Sequence, residues 1–245
     1  MSSAFVAFGN NTVRNIIKSP FFSLKKVILR EEYRNDKELI YLLEKDSIPY
    51  TILNKDDFTR YNVDKKCQGI VAFIREYKYV SLPYLFSLQS KNKHSFIVML
   101  DSIEDPQNFG SILRSLAAFE VDGLIITKKN QVPVNGTVIK VSTGGISYVP
   151  VCQVDSLNDA ANELKKRGYK IISTICEEDA KSYDEFNFDS PICLILGNEH
   201  QGIKKSLIKK SDHSLYIPIK NEMGSLNVSV SCGIFCAKII SQWKE

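Results

Sequence analysis

In the second half of the chain, apolar residues gather into short unbroken runs that end at polar, glycine-containing breaks. Residues 96–100, 123–127, 148–151, 170–175, 192–196 and 214–219 are such runs. Each is too short for a buried helix and has the branched apolar composition of a strand covered on both faces. Between them, residues 110–119, 157–167, 204–210 and 226–243 carry apolar positions at helical spacing. This alternation predicts a mostly parallel sheet with helices on both faces. The first part of the chain alternates on a smaller scale, with helices expected over 9–18, 36–45 and 56–61 and strands over 24–29, 50–53 and 69–74. Residues 75–95 show no clear period, although Pro83 near the start of 82–88 permits a helical turn there. The pattern divides the chain into a small α/β domain over 1–75, a linker over 76–95 and a larger α/β domain over 96–245.

Two of the breaks are candidates for chemistry. The run ending at Leu196 gives way to Gly197-Asn-Glu-His-Gln-Gly202, and the run ending at Ile219 gives way to Lys220-Asn-Glu-Met-Gly-Ser225. Parallel strands that end in such loops bring them side by side, and open α/β sheets bind ligands at that edge. Glycine and asparagine are also ordinary turn residues, so neither loop is decisive alone. Ser225 and Ser229 are candidate hydroxyl partners at the mouth of such a site, and Ser225 equally suits the N-cap of the helix over 226–243.

Composition leaves this picture intact. The 245 residues are 44% hydrophobic, as in a folded globular chain. There is no run of eighteen apolar residues and no signal-like N-terminus, so a cytoplasmic protein is expected. The six cysteines form no CxxC pair and the three histidines are scattered, a pattern that suggests reduced thiols and no metal site. The formal net charge of +4 resides entirely in residues 1–90, which hold 14 Lys+Arg against 10 Asp+Glu, whereas residues 91–245 hold 18 of each. That asymmetry is a weak pointer to a polyanionic partner for the first domain. Tyr77, Tyr79 and Tyr84 lie among Arg75, Lys78, Lys91 and Lys93, a mixture suited either to stacking on bases or to packing on their own domain. No GxGxxG is present, which disfavours a Rossmann-type dinucleotide site.

Taken together, Leu196-Gly-Asn-Glu…Gly202, Ile217-Pro-Ile219 and Ser225-Leu-Asn-Val-Ser229 resemble the C-terminal motifs of SpoU/TrmH-type RNA ribose 2′-O-methyltransferases of the SPOUT superfamily. The upstream motif of that family is matched by Leu100-Asp-Ser-Ile-Glu-Asp105-Pro-Gln-Asn108-Phe-Gly110-Ser-Ile-Leu-Arg114, and its small-residue loop by Lys140-Val-Ser-Thr-Gly-Gly-Ile146. Phe8-Gly-Asn10 and Gln68-Gly-Ile-Val-Ala72 look like the two ends of the family's substrate-binding domain, with Cys67 where relatives commonly carry histidine.

The resemblance implies a C-terminal SPOUT-type domain with a deep trefoil knot, preceded by a small α/β substrate-binding domain. It further implies S-adenosylmethionine as cofactor, RNA as substrate, closest to the subgroup acting on a guanosine of large-subunit ribosomal RNA, and a homodimer formed through the C-terminal domain. By the same resemblance Leu196, Gly197, Ile217, Ile219 and Leu226 line the cofactor pocket, with Gly197 allowing close backbone approach. Asn198 and Asn227 buttress its loops, and Thr174 is a further contact. Asn108, in a loop after the first strand, and Arg114, on the helix that follows, act at the ribose. Glu199 has three open roles: orienting Arg114, accepting the proton through water, or pinning the Gly197 loop. Transfer RNA, another ribosomal nucleotide including one whose methylation confers antibiotic resistance, and non-catalytic RNA binding stand as alternatives.

Overall fold

A computed structural model describes residues 5–61, 67–175, 180–198, 201–220 and 224–243. Its elements run β1 (Phe5–Phe8), α1 (Asn10–Lys18), β2 (Phe22–Arg30), α2 (Lys37–Lys45), β3 (Tyr50–Leu53), α3 (Lys55–Thr59), β4 (Ile70–Tyr77) and α4 (Leu82–Ser87). They continue with β5 (Phe96–Asp101), α5 (Pro106–Ala118), β6 (Gly123–Thr127), α6 (Gly136–Val141), β7 (Val151–Val154), α7 (Leu157–Lys166) and β8 (Lys170–Thr174). The chain finishes with β9 (Lys181–Ser182), β10 (Ile192–Gly197), α8 (Lys205–Ile208), β11 (His213–Tyr216) and α9 (Val228–Trp243). These elements form two units, Met1–Lys78 with Val134–Tyr148, and Tyr79–Pro133 with Val149–Glu245.

The first unit carries a four-stranded sheet in the order β1-β4-β2-β3. Strand β4 is antiparallel to both β1 and β2, and β2 runs parallel to β3. Helices α1 and α2 bury Val13, Ile16, Ile17, Leu39 and Leu43, and a second cluster of Ile28, Phe58, Cys67 and Val71 lies beneath α3. Tyr77 is buried with its ring 5.1 Å from that of Phe22, so this tyrosine packs on its own domain.

Val134–Tyr148 comes from later in the sequence but packs with this first unit. Its helix α6 is capped by the Asn135 side chain, which accepts a hydrogen bond from the Val138 N–H at 3.0 Å, and it rests on β1. Gly144 has φ +89, and a Cβ there would lie 3.0 Å from the Asn15 amide nitrogen, so both backbone and space require glycine. Val138, Ile139 and Ile146 are fully buried in this packing. Deleting residues 1–78 therefore strips cover from three apolar side chains worth roughly 1.5–3 kcal/mol each. The shortened chain is expected to bind a hydrophobic dye and to melt well below the full chain. Equal melting temperatures and no dye binding would show that the segment folds without β1 and α1.

The second unit is a seven-stranded sheet in the order β7-β6-β5-β10-β8-β11-β9, parallel at every pairing. Every residue of β5 is buried, as expected for a central strand covered on both faces. Helix α4 packs Leu85 into the cluster formed by Ile97, Met99, Ile125, Cys152 and Leu164, and Val80 bridges to Cys152. The five cysteines among the described residues are free and buried. Burial pushes the Cys152 thiol up to about 11 and that of Cys193 higher still, so neither presents a thiolate.

Several boundaries differ from the sequence expectation for local reasons. The strand expected over 148–151 is β7 at Val151–Val154, and that expected over 214–219 is β11, which stops at Tyr216. Pro218 cannot donate a ladder hydrogen bond, and Ile217 to Ile219 continue as loop. The last helix begins at Val228, not at 226. No helix among the described residues is long and apolar enough to cross a membrane.

Candidate active site

Because the sheet is parallel, the C-terminal ends of β5, β10, β8 and β11 share one edge, and the segments leaving them gather there. From β5 the chain enters α5 through an N-cap at Asp105, whose carboxylate accepts from the Gln107 N–H at 2.9 Å, with Pro106 in the first turn. Asn108 consequently lies in the first turn of α5, not in a loop. Arg114 follows six residues later on the same helix, roughly 9 Å further along its axis and about a third of a turn around it.

Asn108 is held from the far end of the chain. The Asn227 Nδ2 donates to Asn108 Oδ1 at 2.9 Å. The Asn227 Oδ1 accepts from the Ser229 N–H at 2.9 Å and from the Ser229 hydroxyl at 2.6 Å. Asn227 thereby caps α9, the role expected of Ser225, which is exposed and outside the helix. The two helices pack along their length, and a Cβ on Gly233 of α9 would come 3.8 Å from the Ser115 hydroxyl of α5. The bonded asparagines thus tie together two helix N-termini, where backbone N–H groups and the helix dipoles favour negative charge.

Gly197 ends β10 opposite Asp101 of β5. A Cβ on Gly197 would lie 2.5 Å from the Ile203 nitrogen and 2.7 Å from the Gly202 carbonyl oxygen, with the Gly202 carbonyl carbon closer still. The close approach that requires glycine here is therefore to the loop's own returning chain. The Asn198 N–H donates to Gly202 O at 3.1 Å and the Gly202 N–H to Asn198 O at 2.9 Å, closing a tight turn. Asn198 Nδ2 also donates to the Ser102 carbonyl at 2.7 Å. Glu199 lies outside the described residues.

Of the remaining expected residues, the Leu196 side chain is in the core, so only its backbone reaches the edge. Thr174 donates its hydroxyl to the Ile195 carbonyl at 2.9 Å, and Ile217 is half-buried. Ile219 and Leu226, in the segments that follow β11, are each 36% exposed. Arg114 is exposed and makes no hydrogen bond or ion pair among the described residues. The structure thus joins Asn108 with Asn227 and Gly197 with Asn198, and it leaves Arg114 unengaged by any described group.

Sequence reasoning passed over Asp101 and Lys204. Asp101 is 1% exposed, and its carboxylate accepts from Lys204 Nζ at 2.9 Å, from the Lys204 N–H at 2.8 Å and from the Ser102 hydroxyl at 3.1 Å. The signal was a carboxylate directly following an apolar run at a central strand end, a costly position unless the charge is paired. Among the described residues no group of three or more His, Cys, Asp or Glu side chains could hold a metal ion.

The sequence model described as the SpoU rRNA Methylase family matches residues 95–237, and that of RNA 2′-O ribose methyltransferase substrate binding matches residues 6–80. This chain belongs to the SpoU/TrmH RNA methyltransferase family. Among SpoU/TrmH relatives it is 37% identical to an uncharacterized tRNA/rRNA methyltransferase, MG252, of Mycoplasma genitalium, over 85% of this chain and 86% of the other. It is 31% identical to a putative TrmH family tRNA/rRNA methyltransferase of Staphylococcus saprophyticus, over 96% and 94% of the two chains. In fold it is similar to the AdoMet-bound rRNA methyltransferase of Sinorhizobium meliloti, with a TM-score of 0.80 at 19% identity, covering 97% of this chain and 87% of that one. In this SpoU/TrmH chain β10 is inserted between the earlier strands β5 and β8.

Proposed function

We propose that this chain transfers a methyl group from S-adenosylmethionine to a ribose 2′-hydroxyl of RNA, with a guanosine of large-subunit ribosomal RNA as target and the cytoplasm as its place of action. The observation that carries the reading is the bonded Asn108–Asn227 pair, which joins the N-termini of α5 and α9 in a SpoU/TrmH chain. The residues at the strand-end edge fit the cofactor. An adenosyl group takes apolar walls together with backbone donors and acceptors; Ile217, Ile219 and Leu226 offer the walls, and the Leu196 and Gly197 backbone offers the polar groups. When bound, S-adenosylmethionine supplies an electrophilic methyl on its sulfonium sulfur.

The protein's own part is to place the ribose oxygen and manage its proton. Arg114 grips the phosphate beside the target ribose and stabilises negative charge as it develops on the oxygen. A guanidinium is effectively never deprotonated, which makes it a clamp and not a base. Asn108, fixed by Asn227, orients the sugar. Glu199 completes the proposed set, with the three roles of orienting Arg114, taking the proton through water and pinning the Gly197 loop all open to it. RNA recognition falls to the first domain, 1–75, joined by residues 76–95 to the methyltransferase domain, 96–245. Its basic excess and its match to the substrate-binding family support that division. Pairing of two chains through the C-terminal domain is part of the same reading and rests on the resemblance to the SpoU/TrmH family alone.

Mapping 2′-O-methyl groups in ribosomal and transfer RNA from cells with and without this protein tests the reading. One guanosine in large-subunit ribosomal RNA is expected to lose its methyl group. Loss of a transfer RNA site instead would move the substrate, and an unchanged map with no binding of S-adenosylmethionine by calorimetry would leave an RNA-binding protein without methyltransferase activity.

A further inference from the structure

We propose that the Asp101–Lys204 ion pair is a positioning device that sets the height of the Gly197-Asn198 turn at the cofactor site; the inference deepens the functional reading above and rests on it. Both ends of the turn are tied to the end of β5: the start to Ser102, just past the strand, and the end to Asp101 and Ser102 together. At its start, the Asn198 amide hangs on the Ser102 carbonyl at 2.7 Å. At its end, Lys204 reaches back, with its N–H on Asp101 Oδ2 at 2.8 Å and its ammonium on Asp101 Oδ1 at 2.9 Å and Ser102 Oγ at 3.1 Å.

The backbone is bent to make this possible. Ser102 has φ +66, a conformation that side-chain-bearing residues seldom adopt and that persists only where surrounding contacts enforce it. Asp101 is 1% exposed and needs the lysine's charge, whereas the Lys204 side chain is 56% exposed and has water available as an alternative partner. A solvated lysine returning to a buried carboxylate is explained if its attachment does something for the turn it closes. Gly197 lies opposite Asp101 in the parallel register, so a shift at Asp101 or Lys204 passes directly to the segment that walls the pocket.

Lys204→Met keeps the side-chain length and the backbone N–H while removing the ammonium; Lys204→Arg restores the charge; Asp101→Asn removes the other partner. In Lys204→Met, KM for S-adenosylmethionine is expected to rise on the order of tenfold with kcat at saturating cofactor within about threefold of wild type, the pattern of an interaction that holds ground state and transition state alike. Lys204→Arg should return KM to within about twofold. The double variant Asp101→Asn/Lys204→Met should fall no further than the worse single variant, since the two act as one unit. Amide hydrogen exchange on cofactor-free protein reads the strut by itself: the Asn198 and Gly202 amides should exchange about tenfold faster in Lys204→Met while those of β5 hold. Unchanged exchange, additive effects in the double variant, or a fall in kcat with KM unmoved would overturn the proposal. Wild-type protein that binds no S-adenosylmethionine would overturn the functional reading instead and leave the exchange result to judge the strut.

Discussion

Arg114→Lys is expected to reduce single-turnover methyl transfer by about 10²–10³-fold at every pH the fold tolerates, the range found when one transition-state charge stabiliser is removed. Arg114 is exposed on α5 and makes no ion pair or hydrogen bond among the described residues, so no described group depends on its guanidinium. Melting temperature should therefore hardly change. Lysine keeps one positive charge but loses the planar fork that grips a phosphate at two points. Arg114→Ala should then be only slightly worse than Arg114→Lys. A proton-accepting role predicts the opposite behaviour, because a lysine ammonium can lose its proton where a guanidinium cannot. Activity of Arg114→Lys would then climb with pH as the neutral amine forms. The deciding measurement is the pH–rate profile of single-turnover transfer with both substrates saturating. An alkaline rescue confined to Arg114→Lys would remove the clamp.

The large sheet was legible because parallel strands covered on both faces must be apolar at nearly every position, and β5, β6, β8 and β10 are written that way. Elements whose identity depends on tertiary partners were harder to see. Strand β1 is four residues at a sheet edge with one buried side chain, and β9 has only two residues. Helix α6 begins at a glycine and ends in valine, so its propensity is poor, and it exists because its apolar face packs on β1. Asn108 falls in a loop if the helix starts at 110, where the apolar helical spacing begins; in the structure Asp105 is the N-cap and Pro106 opens the first helical turn.

The site divides along the same line. The resemblance to the SpoU/TrmH motifs marked Asn108, Gly197, Asn198 and Asn227, but nothing in the sequence says that an asparagine 119 positions later holds Asn108, since that bond exists only once α5 and α9 pack. Lys204 stands next to Lys205 and reads as part of a solvated basic surface. Only the fold reveals that the first lysine returns to Asp101. The need for glycine at 197 was visible, whereas its cause was not, because the atoms that crowd it belong to residues five and six positions further along.

That cause sets the second large expectation. Gly197→Ala should lower stability by about 1–3 kcal/mol, the usual cost of overpacking, and should abolish detectable binding of S-adenosylmethionine. The added methyl meets backbone at Gly202 and Ile203, which cannot rotate away as a flexible side chain would. The turn must lift, breaking the Asn198–Gly202 hydrogen bonds and moving the pocket wall with them. Gly202→Ala is the control in the same turn: its φ is +65 but nothing lies within 4 Å of the new Cβ, so it should cost only the backbone strain, about 1 kcal/mol, with cofactor affinity largely kept. If Gly197 mattered only because the cofactor approaches it, Gly197→Ala would lose binding without losing stability. Denaturant midpoints for both variants, measured without cofactor beside calorimetric titration with S-adenosylmethionine, separate the two accounts, and a fully stable Gly197→Ala would discard the crowded-turn explanation.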